Sequence, residues 1–465
     1  MRFILRALKW IALLIVVAAL GGAFWLYLYP PALIRMGSNY AAKIVCSNVF
    51  LGGREPQEVL RTDVQAPGHP LLELMQVQVY PQDATVRTGL YGVIGDGLAV
   101  YRGGTGCAAA PDGLSSIPET VSPHSPASRN TLELWPDGLR IDVSQNQDLA
   151  KILDDIKLTG PGMRAVVVVK DGRIIGERYG PGVVNFEQPL LGWSMTKTVT
   201  AAIIGAAVGE GLLSVDDRNL LPEWSKDDRA NITVADLLGM ESGLEFNEDY
   251  GDVTDVTRMM YLEGDMAAYA AAKPLQAMPG ERFSYSSGTT VLLSRIWQNS
   301  FDDEKTALEF PRKVLFDPLG MDSAVLETDL SGTFAGSSYL YANARDWARF
   351  GLLLAQEGEW QGQRILPEGW VDYMRTPTEA SGGEYGRHVW LHGPRANLPP
   401  TADPDQGFDL PEDAFWLLGH DGQTMTIIPS EGLVILRMGL TPSKLGYRPQ
   451  ALVEAIVKAV RQTEE

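Results

Sequence analysis

The chain has 465 residues, of which 45% are hydrophobic and 9% aromatic, and its formal net charge is −19. A chain of this length and composition is too long for one simple core, and we expect two or three globular domains. Its acidic balance leaves no basic stripe to neutralise phosphates, which argues against a nucleic-acid partner.

The chain begins with one long apolar stretch. Arg2, Arg6 and Lys9 precede residues 10–29, which include no charged side chain. A helix of that length spans about 30 Å, the thickness of a bilayer's hydrocarbon core, and the basic flank should stay in the cytoplasm. We therefore predict a single-pass anchor over residues 1–29 in the cytoplasmic membrane, with everything after it on the periplasmic or extracellular side. A cleaved signal peptide is the alternative.

The region after the anchor, residues 30–142, is predicted to be a small β-rich module. Short strand-like runs cover residues 74–80, 84–90 and 97–101. A stretch rich in Pro and Ser, residues 111–126, is typical of a linker or of a strap over the next domain.

This module includes both cysteines of the chain, Cys46 and Cys107. In an oxidising compartment, two cysteines with no other partner favour a disulfide. Two buried free thiols are the alternative.

The rest of the chain, residues 143–465, is predicted to form an α+β domain. Strands occur near both of its ends and helices lie between them, which favours one antiparallel sheet built from both ends with a helical lobe inserted. The Asp171-Gly172 pair between two strands is a strong hairpin signal. The predicted helices are 148–157, 234–240, 266–272, 344–356 and 450–462, and the predicted strands are 164–170, 173–179, 424–429 and 433–438.

A serine–lysine pair opens an almost wholly apolar run in this domain. Ser194 is the one serine of the chain with a lysine three residues later, Lys197. At helical spacing the two side chains lie on one face, one turn apart. A serine hydroxyl becomes a good nucleophile when a base takes its proton, and a lysine buried in an apolar helix can be that base. The pattern is short enough to occur by chance, so its weight depends on the motifs that follow.

Two further motifs follow in chain order. Tyr285-Ser286-Ser287 comes after a Pro-Gly turn and before a helix, and Gly419-His420-Asp421-Gly422-Gln423 stands just before a strand. Each is weak alone, because a tyrosine before a helix is usually part of a core and a run of this kind is usually a turn.

Together the three motifs resemble the serine β-lactamase and penicillin-binding superfamily in its class C-like branch. The resemblance extends from about residue 149 onward, and the run of residues 248–252 is most similar to the 6-aminohexanoate-dimer (nylon-oligomer) hydrolases. It implies a β-lactamase/transpeptidase-like fold, in which an antiparallel sheet is flanked by helices. Here that fold would follow the transmembrane helix and the β-rich module.

The resemblance also implies roles for individual residues. Ser194 would be the acylated nucleophile, Lys197 its base, and Tyr285 the group that passes a proton to the leaving group. The backbone N–H groups of Ser194 and Gln423 would form the oxyanion hole. Substrate contacts would come from the remaining motif residues and from a tyrosine in a loop rich in Gly and Asp: Ser287, His420, Gly422 and Tyr250. Tyr250 is equally well explained as an ordinary loop aromatic.

These features predict a serine hydrolase that cleaves an amide or ester of a small molecule through an acyl-enzyme, with no metal and no cofactor. A β-lactamase, a D-alanyl peptidase and a non-catalytic penicillin- or peptidoglycan-binding module are the alternatives. The sequence has no Gly-x-Ser-x-Gly elbow and no His-Glu-x-x-His motif, which disfavours an α/β-hydrolase and a zinc hydrolase. His420 stands where lactamases have a lysine, which predicts weak capture of a β-lactam carboxylate and a preference for short esters or linear amides.

Overall fold

The computed structural model describes residues 2–114, 120–122, 124, 131–141 and 145–464. Half of the predicted linker over 111–126 and the predicted boundary between residues 142 and 143 lie outside these residues. The helices are α1 (Arg2–Leu28), α2 (Ala32–Phe50), α3 (Pro56–Val59), α4 (Gln147–Asp154), α5 (Ile156–Thr159), α6 (Met195–Gly209), α7 (Val234–Leu238), α8 (Asp255–Leu262), α9 (Met266–Ala271), α10 (Ser287–Gln298), α11 (Glu304–Pro311), α12 (Asp317–Leu319), α13 (Ala344–Ala355), α14 (Trp370–Arg375) and α15 (Gln450–Glu464). The strands are β1 (Met75–Tyr80), β2 (Thr85–Leu90), β3 (Ile94–Arg102), β4 (Gly106–Ala109), β5 (Met163–Lys170), β6 (Arg173–Tyr179), β7 (Leu190–Leu191), β8 (Val325–Leu326), β9 (Leu340–Ala342), β10 (Glu359–Trp360), β11 (Gln363–Arg364), β12 (Phe415–Gly419), β13 (Gln423–Ile428) and β14 (Leu433–Gly439).

The N-terminal helix α1 is apolar and exposed along its length. An 18-residue window of its segment Phe3–Leu28 has a mean hydropathy of 2.4, so by length and composition the helix could be a membrane span or a signal sequence. It ends before Pro30 and Pro31, and α2 begins directly after them. Prolines without an N–H cannot continue the helix, which explains the break.

A five-stranded antiparallel sheet in the order β12-β13-β14-β5-β6 forms the centre of the larger part of the chain. Its middle ladder pairs β5 with β14, with Val168 opposite Ile435. The β5–β6 hairpin turns at Asp171 and Gly172, which have φ of +48° and +79°, as a two-residue type I′ turn requires. The prediction of one antiparallel sheet built from both ends of this region is confirmed.

Each face of this sheet packs against helices. Along β5, Val166 and Val168 belong to a hydrophobic cluster with α4 and α15, whereas Val167 and Val169 belong to the main core with α13. This follows from the two-residue period of a strand, whose successive side chains point to opposite faces. Because both faces are buried, β5 is continuously apolar rather than alternating.

The helical lobe lies between β6 and α13 in sequence and is organised around α6. That helix is buried from Met195 to Ala207 and contacts α10, which in turn packs against α7 and α9. The Ser-x-x-Lys segment therefore begins a helix that is surrounded by protein.

One predicted helix is interrupted. The prediction of a single helix over 148–157 is wrong, because the chain forms α4 and α5 with a break at Asp155. Asp155 has extended backbone (φ −84°, ψ 108°), and its carboxylate accepts a hydrogen bond of 2.8 Å from the Lys157 N–H. The side chain thus begins a new helix instead of continuing the old one.

The region after α1 forms a four-stranded antiparallel sheet in the order β1-β2-β3-β4, with α2 packed against it. The predicted disulfide between Cys46 and Cys107 is present and joins α2 to β4. Helix α2 was not predicted. It also contacts α8 and shares one continuous core with α6 and α10. That this region is a separate module stays a prediction.

A buried polar cluster ties this region to the rest of the chain. The Glu327 carboxylate is fully buried and accepts hydrogen bonds from the Lys43 ammonium, from Ser47 Oγ at 2.9 Å and from the Cys107 N–H at 2.6 Å. A buried carboxylate with fewer partners would carry an uncompensated charge, so these contacts fix α2 and β4 against the loop that carries Glu327.

Candidate active site

Ser194 stands in the turn between β7 and α6. Trp193, just before it, has a φ of +48°, a left-handed conformation that residues with a side chain rarely adopt. Gly192 packs against the Trp347 indole so closely that a Cβ would come within 2.2 Å of a ring carbon. The Gly192 N–H donates to the Leu340 carbonyl at 3.0 Å, which holds the turn against β9. The chain thereby presents the Ser194 hydroxyl at the first turn of α6.

Lys197 lies one helical turn further along and is buried, with 1% of its side chain exposed. Its Nζ donates hydrogen bonds to Ser194 Oγ at 2.9 Å, Ser287 Oγ at 3.0 Å and the Ser337 carbonyl at 3.1 Å. Burial lowers the pKa of Lys197 to about 8, against the opposing effect of the Glu248 carboxylate. Roughly a tenth of this amine is therefore free at pH 7, and about half at pH 8, and the free amine is able to accept the Ser194 proton.

Glu248 was not assigned a role from the sequence, yet it is part of this cluster. Its Oε2 accepts from the Ser287 N–H at 2.7 Å, and its Oε1 accepts from Ser287 Oγ at 2.5 Å. Oε1 lies 4.0 Å from Lys197 Nζ. Burial raises the pKa of Glu248, and the Lys197 charge opposes that shift. Ser287 therefore bridges the lysine and the carboxylate, which is more than the substrate contact predicted for it.

Tyr285 covers the other side of the lysine. Lys197 Nζ lies 4.7 Å from the centre of the Tyr285 ring. Burial and the Glu248 charge raise the pKa of Tyr285, while a hydrogen bond with Ser194 opposes the shift. The phenol is therefore held in its protonated form, as a group that gives a proton to a leaving group must be. Its ring packs 5.3 Å from Trp390 and edge-on to Tyr385 at 6.0 Å.

The third motif forms the connection between β12 and β13. Gly419 comes so close to the Ser194 turn that a Cβ on it would lie 2.4 Å from the Gly192 carbonyl oxygen. The Gln423 side chain points away, since its Oε1 accepts from the Gly439 N–H at 2.8 Å. Gly422 has a φ of +77°, and its carbonyl accepts from Arg437 at 2.8 Å, which fixes the end of the connection.

The two aromatic substrate candidates lie together above this connection. The rings of Tyr250 and His420 are 4.9 Å apart, and that of His420 lies edge-on to Trp193 at 5.5 Å. His420 Nε2 is 3.5 Å from the Asp421 carboxylate, whose pKa is raised by burial. The Tyr250 hydroxyl lies 3.5 Å from Glu248 Oε1, so this loop is connected to the lysine cluster.

The motifs that are far apart in the sequence are thus brought to one place by the fold. Ser194, Lys197, Tyr285 and Ser287 are in direct contact, and the 419–423 connection adjoins them through Gly419. A model of the Beta-lactamase family matches residues 157–448, more than half of the chain. The chain belongs to the Beta-lactamase family.

One protein that is similar in sequence is a hydrolase by name. The 6-aminohexanoate-dimer hydrolase of Paenarthrobacter ureafaciens is 25% identical over 224 residues, which cover 45% of this chain and 56% of that protein. The chain therefore matches little more than half the length of this relative.

Solved structures of the family share the fold. A provisionally described 6-aminohexanoate-dimer hydrolase from Bacillus anthracis superposes with a TM-score of 0.55 at 23% identity, over 70% of this chain and 88% of that one. A family VIII carboxylesterase does so with a TM-score of 0.51 at 16% identity, over 69% and 99% of the two chains. At these identities the likeness shows an α+β fold of the β-lactamase/transpeptidase type.

Two cavities meet at His420 beside this Beta-lactamase family site. The larger, of about 430 Å³, is lined by Phe283, Trp390 and residues 418–424 and includes charged side chains such as Glu384 and Arg395. The smaller, of about 110 Å³, is lined by Trp193 and Tyr250 together with residues from α2 and from the loop around residues 68–72. The second cavity therefore has a wall that lies outside the family match.

One group of side chains in the larger cavity's rim has the composition of a metal site. The ligand atoms of His392, Asp403 and Asp405 lie within 4.8 Å of one another. The Asp405 carboxylate already accepts from His392 Nδ1 at 3.1 Å, from the Gly393 N–H at 3.1 Å and from Gln450 Nε2 at 3.2 Å. These hydrogen bonds explain the grouping without an ion.

Proposed function

We propose that the protein is a serine hydrolase that cleaves an amide or ester bond through an acyl-enzyme on Ser194. The observation that carries this proposal is the contact of 2.9 Å between Ser194 Oγ and the buried Lys197 Nζ, whose pKa is lowered to about 8. A lysine with an unperturbed pKa of about 10.4 would remain protonated at neutral pH and could not act as the base.

The acylation step uses four groups of the site. Lys197 takes the Ser194 proton while Ser194 Oγ forms a bond to the carbonyl carbon, and the backbone N–H groups of Ser194 and Gln423 stabilise the resulting oxyanion. The bond from this carbon to the leaving nitrogen or oxygen then breaks. Tyr285 gives its proton to the leaving atom and recovers one from Lys197.

Deacylation reverses this order with water as the nucleophile. Tyr285 and Lys197 remove a proton from water, whose oxygen bonds to the acyl carbon. The bond to Ser194 Oγ breaks, and the serine recovers its proton as the carboxylic acid leaves. In acylation the raised pKa of the Tyr285 phenol keeps it protonated until the leaving group departs. In deacylation the phenol passes its own proton to Lys197 as it takes one from water.

Covalent labelling tests the assignment of the nucleophile. We expect a fluorophosphonate to label the wild-type protein and mapping of the labelled peptide to locate the probe on Ser194. Ser194→Ala should abolish labelling, whereas Ser300→Ala, a control at a half-buried serine near the end of α10, should label normally. Labelling of Ser194→Ala at the wild-type rate would refute the proposal.

We propose short esters and linear amides, rather than β-lactams, as the substrate class. The position where a lactamase has a permanently charged lysine is occupied by His420, which is exposed and packs against Tyr250 and Trp193. Comparison of kcat/KM for p-nitrophenyl butyrate and nitrocefin checks this. A clear preference for nitrocefin would make the protein a β-lactamase, and binding of penicillin without turnover of either substrate would make it a binding module.

We also propose that α1 anchors the protein in the cytoplasmic membrane with the site on the outer side. The apolar length of α1 and the Cys46–Cys107 disulfide support this placement, since disulfides persist outside the cytoplasm. The full chain should remain in the membrane fraction after alkaline carbonate extraction and should be open to protease added from outside. Release of a shortened chain into the soluble fraction would indicate a cleaved signal peptide instead.

A further inference from the structure

The smaller cavity beside the site is lined mostly by apolar and aromatic side chains and, among the residues that the structure describes, by no charged carboxylate, ammonium or guanidinium group. It has a volume of about 110 Å³, and the described residues that line it include no Asp, Glu, Lys or Arg. A charged group placed here would lose its water without gaining a partner, so the cavity favours an apolar occupant. Its lining residues are aliphatic (Leu33, Met36, Leu71 and Leu72), aromatic (Tyr40, Trp193, Tyr250 and Tyr261), small (Gly37, Gly68 and Gly251) and neutral polar or imidazole (Thr257, His69 and His420).

One wall of the cavity is a face of α2. Leu33, Met36, Gly37 and Tyr40 follow the spacing i, i+3, i+4 and i+7, which places them in one stripe along a helix. Leu33, Met36 and Tyr40 are only half-buried although they are apolar or aromatic, so the stripe is not filled by the protein's own side chains. The N-terminal region therefore adds a surface to the site that the residues matching the Beta-lactamase family do not contain.

The opposite wall places the cavity next to the reacting atoms. Trp193 immediately precedes Ser194, and Tyr250 belongs to the loop that carries Glu248. Tyr285, which serves the leaving group in the proposed mechanism, lies on the other side, where its neighbour Trp390 lines the larger, charged cleft. A substrate held with its leaving group toward Tyr285 and the charged cleft has its acyl part directed toward the apolar cavity.

The cavity is also close in sequence to the apolar helix. Leu33 stands a few residues after Leu28, where α1 ends, and α1 itself is exposed along most of its length. If α1 lies in a membrane, the α2 wall of the cavity cannot be far from the membrane surface. An amphiphile leaving the bilayer would meet this wall before it reached Ser194.

We propose that this cavity binds the aliphatic acyl chain of an ester or amide drawn from the membrane, while the polar leaving group lies in the charged cleft. This proposal rests on the proposed function, because it takes Ser194 as the nucleophile and Tyr285 as the donor to the leaving group. It narrows the substrate from an ester or amide to a membrane amphiphile with a single chain at the reacting carbonyl.

A chain-length series tests the acyl pocket. With the full-length protein in detergent, we expect kcat/KM for p-nitrophenyl esters to rise about fourfold per added methylene from the acetate until the cavity is filled, as burial of a CH₂ group predicts. Met36→Trp fills the cavity from the α2 side and should lower the ratio of octanoate to acetate hydrolysis at least tenfold. Met278→Trp changes an exposed methionine outside both cavities and should leave this ratio unchanged.

Leu33→Phe, a smaller addition to the same wall, is the second variant if Met36→Trp does not fold. A flat chain-length profile, or one that neither variant shifts, overturns the acyl pocket. Ser194→Ala distinguishes this failure from a failure of the proposed function. If Ser194→Ala loses acetate hydrolysis while the wild-type chain-length profile is flat, the proposed function stands and only the acyl pocket is refuted.

A vesicle experiment tests the source of the chain. The full-length protein is reconstituted in phosphatidylcholine vesicles, and p-nitrophenyl palmitate is supplied either in the same vesicles or in separate ones. We expect hydrolysis at least tenfold faster when protein and ester share a bilayer. Equal rates would show that the ester is taken from solution, and they would contradict the proposal that the substrate comes from the membrane.

Discussion

Lys43 and Lys197 are both buried, with 2% and 1% of their side chains exposed, but their surroundings differ. Lys43 touches the Glu327 carboxylate directly, and Ser47 shares the same carboxylate. Lys197 contacts two hydroxyls and a carbonyl, and its nearest carboxylate oxygen, on Glu248, is 4.0 Å away.

The difference separates a lysine that stabilises the fold from the lysine that we propose as the catalytic base. Burial lowers the pKa of both amines. At Lys43 a carboxylate in contact compensates the charge, so the pair holds α2 to the rest of the protein. At Lys197 the hydroxyl of Ser287 stands between the amine and Glu248, and the proton can leave toward a substrate. The predictions below separate these two roles.

The largest expected effect is on turnover. Lys197→Ala should lower kcat/KM for p-nitrophenyl butyrate by roughly 10³ to 10⁶, because members of one proton relay fail as a unit. Lys43→Ala, assayed at low temperature where the protein stays folded, should lower it less than about tenfold. Comparable losses in both variants would contradict the distinction between the two lysines.

The next effect is on stability. Lys43→Ala leaves the fully buried Glu327 without its counter-charge and should lower the free energy of unfolding by about 3–5 kcal/mol in urea titrations. Arg87→Ala removes an ion pair to Asp96 in which both side chains are about half exposed or more, and it should cost less than about 1 kcal/mol. Equal costs would mean that the buried pair does not hold α2 in place.

Lys197 should destabilise the folded protein, whereas Lys43 should stabilise it. A lysine whose pKa is about 8 when folded and about 10.4 when unfolded destabilises the folded state below pH 8 by about 3 kcal/mol, and this penalty fades as pH rises from 8 to 10.4. Lys197→Met should therefore be more stable than the wild type at pH 7 and lose that advantage by pH 10.5. A difference in stability that is constant over this range would show that the lysine is not perturbed.

The smallest effect concerns the pH profile. The Glu248 charge raises the pKa of Lys197, so its removal in Glu248→Gln should lower that pKa. Because the free amine is the active form, the wild-type kcat/KM should rise with pH through about 8, and the rise should move to lower pH in the variant. Glu245→Gln, an exposed neighbour in the same loop, is the control and should leave the profile in place. A fall in kcat/KM with no movement of the rise would assign Glu248 a purely structural role.

The parts of the site that the sequence predicts are those set by local spacing. Ser194 and Lys197 are one helical turn apart, so their contact follows from the geometry of α6. The Asp171-Gly172 turn and the strands on either side of it likewise depend on neighbouring residues. We inferred from the family resemblance that the motifs around Tyr285 and His420 lie beside Ser194. The spacing of these motifs along the sequence does not by itself predict that they meet.

Glu248 and α2 show what local patterns cannot reveal. A glutamate in a loop rich in Gly and Asp is typical of a solvated surface, and only the fold brings Ser287 to it. Helix α2 buries Ser38, Asn39 and Lys43 among its apolar residues, and these buried polar side chains obscure the apolar periodicity from which a helix is predicted. Two of these polar groups have distant partners: the Leu98 N–H donates to Asn39 Oδ1, and Lys43 donates to Glu327.

The pairing of β5 with β14 joins segments that are far apart in the sequence. Val168 and Ile435 lie near opposite ends of the region that matches the Beta-lactamase family, and Gln423, which we propose as an oxyanion donor, begins β13 of the same sheet. Contacts between such distant segments form late, since the intervening chain must be ordered at an entropic cost. A chain still emerging from the ribosome can therefore form the helix that carries Lys197 before the strand that carries Gln423 exists. On the proposed mechanism, a chain interrupted before β13 has its serine and lysine but lacks the second oxyanion donor, and we expect it to be inactive.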